Sequence, residues 1–150
     1  RPPRSTLSSS SAASDVYKRQ AFENKDTDTM LELFTDDMEW VFPNGEKFEG
    51  KEEARQGFNY VFSLWDEMKM DSGGDEEPPI ILATSGEQGQ FLMRWSPYSY
   101  KSFSGEEYTI RNHTVLWFND DGMIKGAYNY YDRKDISKAY ETDPIDEIED

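Results

Sequence analysis

The 150-residue chain contains no cysteine and only one histidine, His113. Without cysteine the protein has no disulfide, no thiolate nucleophile and no cysteine-ligated metal. A single histidine cannot build a histidine-rich metal site, so we expect no metal centre, and no pattern in the sequence calls for a cofactor. No run of 18 apolar residues occurs, and we therefore expect no segment to span a membrane.

Basic residues are also scarce: 16 Lys and Arg stand against 31 Asp and Glu, for a formal net charge of −15. An acidic chain of this kind repels nucleic-acid phosphates and anionic membrane surfaces, so we expect neither as a partner. Aromatic residues, in contrast, are abundant, with nine Phe, nine Tyr and four Trp. They are numerous enough to line both a core and an aromatic pocket.

Residues 1–20 read as a non-native leader. Ser10 to Gln20 back-translates in frame into a transposase-based sequencing adapter, and Arg1 to Thr6 back-translates into the outer part of the same adapter. The alternative is a natural Ser-rich leader. We favour the adapter, and expect the chain to come from metagenomic or bulk-sequenced material. This leader should be disordered or helical in place of a truncated first helix. Removing its four basic residues and one acid would bring the charge to −18.

Two helices are predicted in the first half of the chain. Asp26 or Asp28 suits the N-cap of a short amphipathic helix that ends near Phe34. A second helix is expected from Lys51 to about Met68, because its apolar residues form one continuous helical stripe. The members of this stripe are Ala54, Phe58, Val61, Phe62, Trp65 and Met68.

The second half reads as antiparallel strands from Pro79 to Tyr131. The first strands are Pro79–Thr84 and Gln90–Trp95, with a possible break at Ser96–Pro97. A long strand, Glu107–Phe118, then pairs through an Asp-Gly turn with a last strand ending at Tyr131. Strands and helices do not alternate as βαβ units, which predicts an α+β fold. A last short helix from Asp132 to Tyr140 and an acidic tail over residues 141–150 follow.

Two segments carry a family resemblance. The sequence DTDTMLELFTDDMEWVFP, from Asp26 to Pro43, and the hairpin VLWFNDDGMIKGAYNYYD, from Val115 to Asp132, resemble SnoaL-like domains of the nuclear transport factor 2-like superfamily. The resemblance spans residues 21–140. It implies a ketosteroid isomerase-like fold, in which helices wrap a cone-shaped, curved antiparallel sheet around one apolar pocket. That fold hosts isomerases, cyclases, dehydratases, epoxide hydrolases and proteins without catalysis.

Strand alternation then predicts which side chains face the pocket. An outward Glu39 sends Trp40 and Phe42 inward, and an outward Arg94 sends Met93 and Trp95 inward. On the last two strands the resemblance implies inward side chains at four further positions. The predicted ligand pocket is therefore lined by Trp40, Phe42, Met93, Trp95, Asn112, Thr114, Asn129 and Tyr131. Its expected occupant is a small apolar or weakly polar molecule.

The catalytic residues of the resembled enzymes do not carry over. Phe42 stands where ketosteroid isomerases have their general base, and Thr114 stands close to their oxyanion acid. Asn129 and Asn112 fall where the epoxide hydrolases of this fold have ionisable relay residues. An amide cannot accept a proton, so neither mechanism transfers. His113 remains as a candidate catalytic base; alternation puts it on the outer face unless a β-bulge reverses the strand.

Three functional hypotheses follow. The leading one is a SnoaL-like small-molecule-binding domain whose reaction is unassigned. The second is an isomerase, cyclase or dehydratase that uses His113. The third is a dimeric interaction module without catalysis, because outward Val115, Trp117, Tyr128 and Tyr130 would form an apolar patch. We expect a homodimer in a cytoplasmic location, although a leader ahead of residue 21 would have been lost.

Overall fold

The computed structural model describes residues 17–137, which contain four helices and seven strands. The predicted acidic tail and most of the predicted leader lie outside the described residues. Helix α1 includes residues 17–23. The other helices are α2 (Thr27–Leu31), α3 (Lys51–Ser63) and α4 (Lys134–Ser137). The strands are β1 (Phe34–Val41), β2 (Lys47–Glu49), β3 (Glu67–Lys69), β4 (Ile80–Gly86), β5 (Gly89–Lys101), β6 (Glu107–Phe118) and β7 (Ile124–Tyr130).

The seven strands form one sheet in the order β2-β1-β7-β6-β5-β3, with β4 also paired to β5. Neighbouring strands are antiparallel except β1 and β7, which run parallel. The register shifts between Phe34 and Glu39 on β1 and between Trp117 and Phe118 on β6. Such bulges bend a sheet and increase its twist. The predicted α+β cone is therefore confirmed, and one of its strand pairs is parallel.

Helix α3 closes the concave side of this sheet. Its buried face carries Ala54, Gly57, Phe58 and Phe62, as the apolar stripe predicts. Phe58 meets Trp40 edge to face, with ring centroids 4.9 Å apart, and meets Phe48 of β2 at 5.4 Å. Helix α1 adds Phe22, which packs edge to face on Phe62 at 5.8 Å. One aromatic core thus joins both helices to the sheet.

Two predicted boundaries were wrong. Helix α3 ends at Ser63, five residues before Met68, although the apolar periodicity continues. Trp65 is buried from the connection that follows helix α3, and Met68 is buried from the short edge strand β3. Their spacing matches a helix only by coincidence. The strand predicted to end at Trp95 continues to Lys101: β5 runs through the possible break at Ser96–Pro97, and Pro97 lies in register with Arg111 of β6. No helix within residues 17–137 is long and apolar enough to cross a membrane.

Candidate ligand-binding site

A cavity of about 100 Å³, measured as space for the centres of water molecules, lies between the concave face and the helices. Its wall is mostly aromatic and aliphatic. The lining residues are Lys18, Phe22, Trp40, Phe42, Phe58, Val61, Phe62, Trp65, Met68, Tyr98, Tyr100, Ile110, Asn112, Asn129, Tyr131, Arg133 and Ile136. No carboxylate is among these described residues.

Five of the eight predicted pocket residues lie in this wall: Trp40, Phe42, Asn112, Asn129 and Tyr131. A sixth, Thr114, is buried directly behind it and bonds to both asparagines. On β6 and β7 the buried positions alternate as predicted.

The prediction for strand β5 was wrong. Arg94 faces the interior with 1% of its surface exposed, while Trp95 is 37% exposed and lies outside the cavity with Met93. The expectation that a charged residue points outward fails because Arg94 has a partner within the fold. Its guanidinium Nη1 lies 2.9 Å from Asp71 Oδ1, and Arg94 also donates to Ser96 and Tyr98. A paired and hydrogen-bonded charge can be buried.

The reversed parity of β5 brings into the cavity residues that the sequence did not assign to it. Tyr98 and Tyr100 lie on the same side of the strand as Arg94 and enter the wall. Ile110 of β6 pairs with Tyr98 and lines the same space. The sequence did contain a signal of this orientation. Ser96 and Tyr98 follow Arg94 at alternate positions, so they lie on the same side of the strand and can hydrogen-bond to it.

His113 lies on the outer face, opposite to the side that the catalytic hypothesis requires. Its imidazole stacks on Trp95, with ring centroids 4.2 Å apart, and on Tyr130 at 5.8 Å. The nearest polar contact is between His113 Nδ1 and the carbonyl oxygen of Arg94, at 3.3 Å. His113 is not among the cavity-lining residues. The described geometry therefore does not bring this imidazole to a ligand in the cavity.

A strip of hydrogen-bonded polar side chains crosses the apolar wall. Asn112 Nδ2 donates to Thr114 Oγ1 at 2.8 Å, and the Thr114 hydroxyl donates to Asn129 Oδ1 at 3.0 Å. Asn129 Nδ2 then donates to the carbonyl oxygen of Val41 at 3.1 Å. All three side chains are buried, with 6%, 1% and 3% of their surfaces exposed. The strip can orient a ligand by hydrogen bonds, although it has no group that could remove a proton.

The Lys18 ammonium also enters the cavity, from helix α1. Lys18 is 2% exposed, and its Nζ lies 5.7 Å from the ring centroid of Trp40. No described carboxylate forms an ion pair with it. The neighbouring Arg19 does have such a partner, since its guanidinium lies 3.3 Å from Asp71. Lys18 thus places a buried cation in a wall that is otherwise mainly apolar.

The family comparison bears directly on this architecture. The family model described as "SnoaL-like domain" matches residues 15–127. The chain belongs to this SnoaL-like family. The match confirms the resemblance seen in the two sequence segments, and with the mostly apolar cavity it describes a small-molecule-binding domain whose reaction is unassigned. None of the curated proteins compared matches the chain.

Solved structures share the fold of this SnoaL-like domain. An NTF2-like protein of unknown function from Burkholderia pseudomallei is 16% identical with a TM-score of 0.71, covering 89% of this chain and 98% of that one. PrhC from Penicillium brasilianum is 15% identical with a TM-score of 0.70, over 89% and 87%. TerC, co-crystallized with polyporic acid, is 14% identical with a TM-score of 0.69, over 89% and 99%. At these identities the likeness shows the fold alone.

Proposed function

We propose that the cavity binds an uncharged or weakly polar ring-sized molecule. The observation that carries the proposal is a mostly aromatic wall that, beside the cations Lys18 and Arg133, is crossed by one strip of neutral amide and hydroxyl groups. Aromatic walls bury a ring's apolar surface, and a few polar groups fix its orientation. TerC, which shares the fold, was co-crystallized with polyporic acid, and this supports the binding of a small molecule by this fold.

Titration with 2-naphthol, followed by calorimetry and tryptophan fluorescence, tests the proposal. Val61→Trp places a large side chain in the cavity wall, so we expect it to abolish binding while the circular dichroism spectrum is retained. Leu82→Trp is the matched control, because Leu82 is 51% exposed on β4 and outside the cavity. Equal binding by both variants would contradict the cavity as the site.

Turnover of ketosteroids and epoxides is expected to be slow or absent in this protein. Phe42 and Asn129 lie in the cavity wall at the positions where the resembled enzymes need carboxylates. Measuring both reactions separates binding from catalysis. Rapid turnover of either substrate would contradict this part of the proposal, because the described lining has no carboxylate base.

We also propose that the outer aromatic face mediates homodimerisation. This face lies on the adjacent strands β5, β6 and β7 and comprises Trp95, His113, Val115, Trp117, Tyr128 and Tyr130. Trp117 and Tyr128 stack with centroids 4.5 Å apart. With the exposed Ile80 and Leu82 of β4 alongside, the patch is larger than scattered surface apolar residues would give.

Sedimentation velocity tests the dimer. Val115→Arg puts a charge at the centre of the outer aromatic face, and we expect a monomer that still binds 2-naphthol. Gln56→Arg adds the same charge on the exposed side of α3 and should leave the dimer intact. A wild-type monomer at every protein concentration, or a Val115→Arg dimer, would overturn the assignment.

We infer that residues 1–20 are adapter-derived and that the natural first helix has another sequence. Lys18 supports this inference, because an ammonium buried without a carboxylate partner among residues 17–137 is an unfavourable choice for an apolar wall. Tyr17 supports it too, being 43% exposed rather than packed. The family match begins at residue 15 and so includes part of this segment. Sequencing the gene from its source tests the inference. It would be refuted if natural sequence continued upstream through residues 1–20.

The cytoplasmic location stays a prediction.

A further inference from the structure

The direction of the hydrogen bonds in the polar strip is fixed by its end at Val41. A backbone carbonyl only accepts, so Asn129 must turn its Nδ2 toward Val41 and its Oδ1 toward Thr114. The single Thr114 proton is donated to that oxygen, so Thr114 can only accept from Asn112. Asn112 therefore points its amide nitrogen along the strip. The O and N positions of both amides follow from this network rather than from a choice between two equivalent orientations.

The remaining polar atom of the strip, Asn112 Oδ1, is a hydrogen-bond acceptor on a residue that lines the cavity. It is buried and receives no hydrogen bond from the residues that the structure describes. A buried acceptor left in this condition costs about 1–3 kcal/mol. Ser96, which lies opposite Asn112 on β5, is already engaged with Arg94 and Asp71. The fold thus presents an acceptor that its described neighbours do not satisfy.

From this orientation we propose that the ligand donates a hydrogen bond to Asn112 Oδ1, and that the site selects ring compounds carrying a hydroxyl group over their ether or unsubstituted analogues. The inference rests on the proposed binding function. An ether oxygen would face the lone pairs of Asn112 and repel them, whereas a phenolic or enolic hydroxyl gives them a proton. Because the oxygen is buried, the ligand reaches it when side chains of the wall change rotamer, as they commonly do on binding.

Three probes of one ring system test the selection: 2-naphthol, 2-methoxynaphthalene and naphthalene. We expect 2-naphthol to bind about tenfold more tightly than the other two, which corresponds to one hydrogen bond of ordinary strength. In Asn112→Leu, which keeps the approximate shape but removes the acceptor, the three affinities should become equal within about twofold. Circular dichroism and thermal melting establish that each variant is folded.

A second variant tests whether the preference for 2-naphthol depends on the orientation of the Asn112 amide and not only on its presence. Thr114→Val removes the acceptor that holds Asn112 Nδ2, so the amide can rotate and offer its N–H groups to the cavity. We expect 2-methoxynaphthalene to gain affinity relative to 2-naphthol, which reduces the preference from about tenfold to about twofold. A loss of packing alone would weaken all three probes in parallel. Should Thr114→Val not fold, Asn112→Leu alone carries the test.

The outcomes distinguish this inference from the function on which it rests. If all three probes bind wild-type protein equally, the selection for a donor is refuted while the binding function stands. If 2-naphthol is preferred but Asn112→Leu retains the preference, the donor contact lies elsewhere and the role of Asn112 is refuted. If none of the three probes binds, the proposed function fails, and the inference fails with it.

Discussion

The indole ring of Trp95 stacks on the imidazole of His113, with centroids 4.2 Å apart and planes inclined by 18°. This contact places the single histidine of the chain on the outer aromatic face and the predicted pocket residue Trp95 beside it. Both side chains point away from the cavity, because paired positions on neighbouring strands share a face of the sheet and Trp95 is in register with His113.

We predict that His113→Ala leaves 2-naphthol binding unchanged within about twofold, because the imidazole does not line the cavity. The same variant should weaken the homodimer, since it removes the ring between Trp95 and Tyr130. Calorimetry measures the first effect and sedimentation velocity the second. Asn112→Leu is the reciprocal control, expected to change binding and leave the dimer unaffected. Loss of binding in His113→Ala at an unchanged dimer constant would contradict the placement.

We predict that Asp71→Asn lowers the free energy of unfolding by about 3 kcal/mol at pH 7, because it removes the negative charge that lies 2.9 Å from the buried Arg94 guanidinium. Asparagine is the appropriate replacement, since Asp71 has a φ of 55° and asparagine tolerates this conformation. Urea denaturation measures the change. Asp75→Asn, in the exposed part of the same connection, is the control and should alter stability by less than about 0.5 kcal/mol.

The Asp71 carboxylate also predicts how the stability of the protein changes at acid pH. Burial acts to raise the pKa of Asp71, but hydrogen bonds from Arg94 and Ser96 outweigh it, and the pKa lies below its ordinary value of 3.8. Stability from a lowered pKa is fully present above the unfolded value and is lost as the pH falls through the folded value. The stability difference between wild type and Asp71→Asn should therefore narrow below about pH 4. A difference that stays constant down to pH 2 would refute this linkage.

We predict that Lys18→Met stabilises the chain, because methionine keeps the length of the side chain and removes a buried cation from an apolar wall. A gain of about 1 kcal/mol would raise the melting temperature by about 4 °C. Lys125→Met, at an exposed position of β7, serves as the control for the loss of one surface charge. A lower melting temperature in Lys18→Met would show that the ammonium makes a favourable contact and would weaken the adapter inference.

We predict that Gly57→Ala destabilises the protein by about 1–3 kcal/mol, although alanine is the better helix former. A Cβ on Gly57 would lie 2.2 Å from Cζ of Phe48, which is itself 2% exposed beneath helix α3. Thermal melting measures the loss, and Gln56→Ala on the exposed side of the helix is the control. Combining Gly57→Ala with Phe48→Leu should recover part of the stability, since the two residues share one space. Additive losses would contradict the steric explanation.

Local patterns in the sequence determined much of the fold. The apolar stripe beginning at Ala54 predicted which face of helix α3 is buried, and the alternation on β1 predicted that Trp40 and Phe42 enter the cavity wall. These predictions succeed because hydrophobic burial repeats with the period of the backbone, 3.6 residues in a helix and two in a strand. The family segments added the cone-shaped architecture, which the family match confirms.

Only the tertiary structure decided the orientation of β5 and the composition of the cavity. Arg94 is buried because Asp71, 23 positions away along the chain, lies beside it in the fold, and that single pairing reverses the faces of Trp95 and Tyr98. A periodic pattern reports the average preference of each residue for water. A charged side chain can be buried only where it has a partner inside the protein, and that partner comes from a segment that is distant along the chain. Such a contact therefore decides which side of a strand lines the cavity.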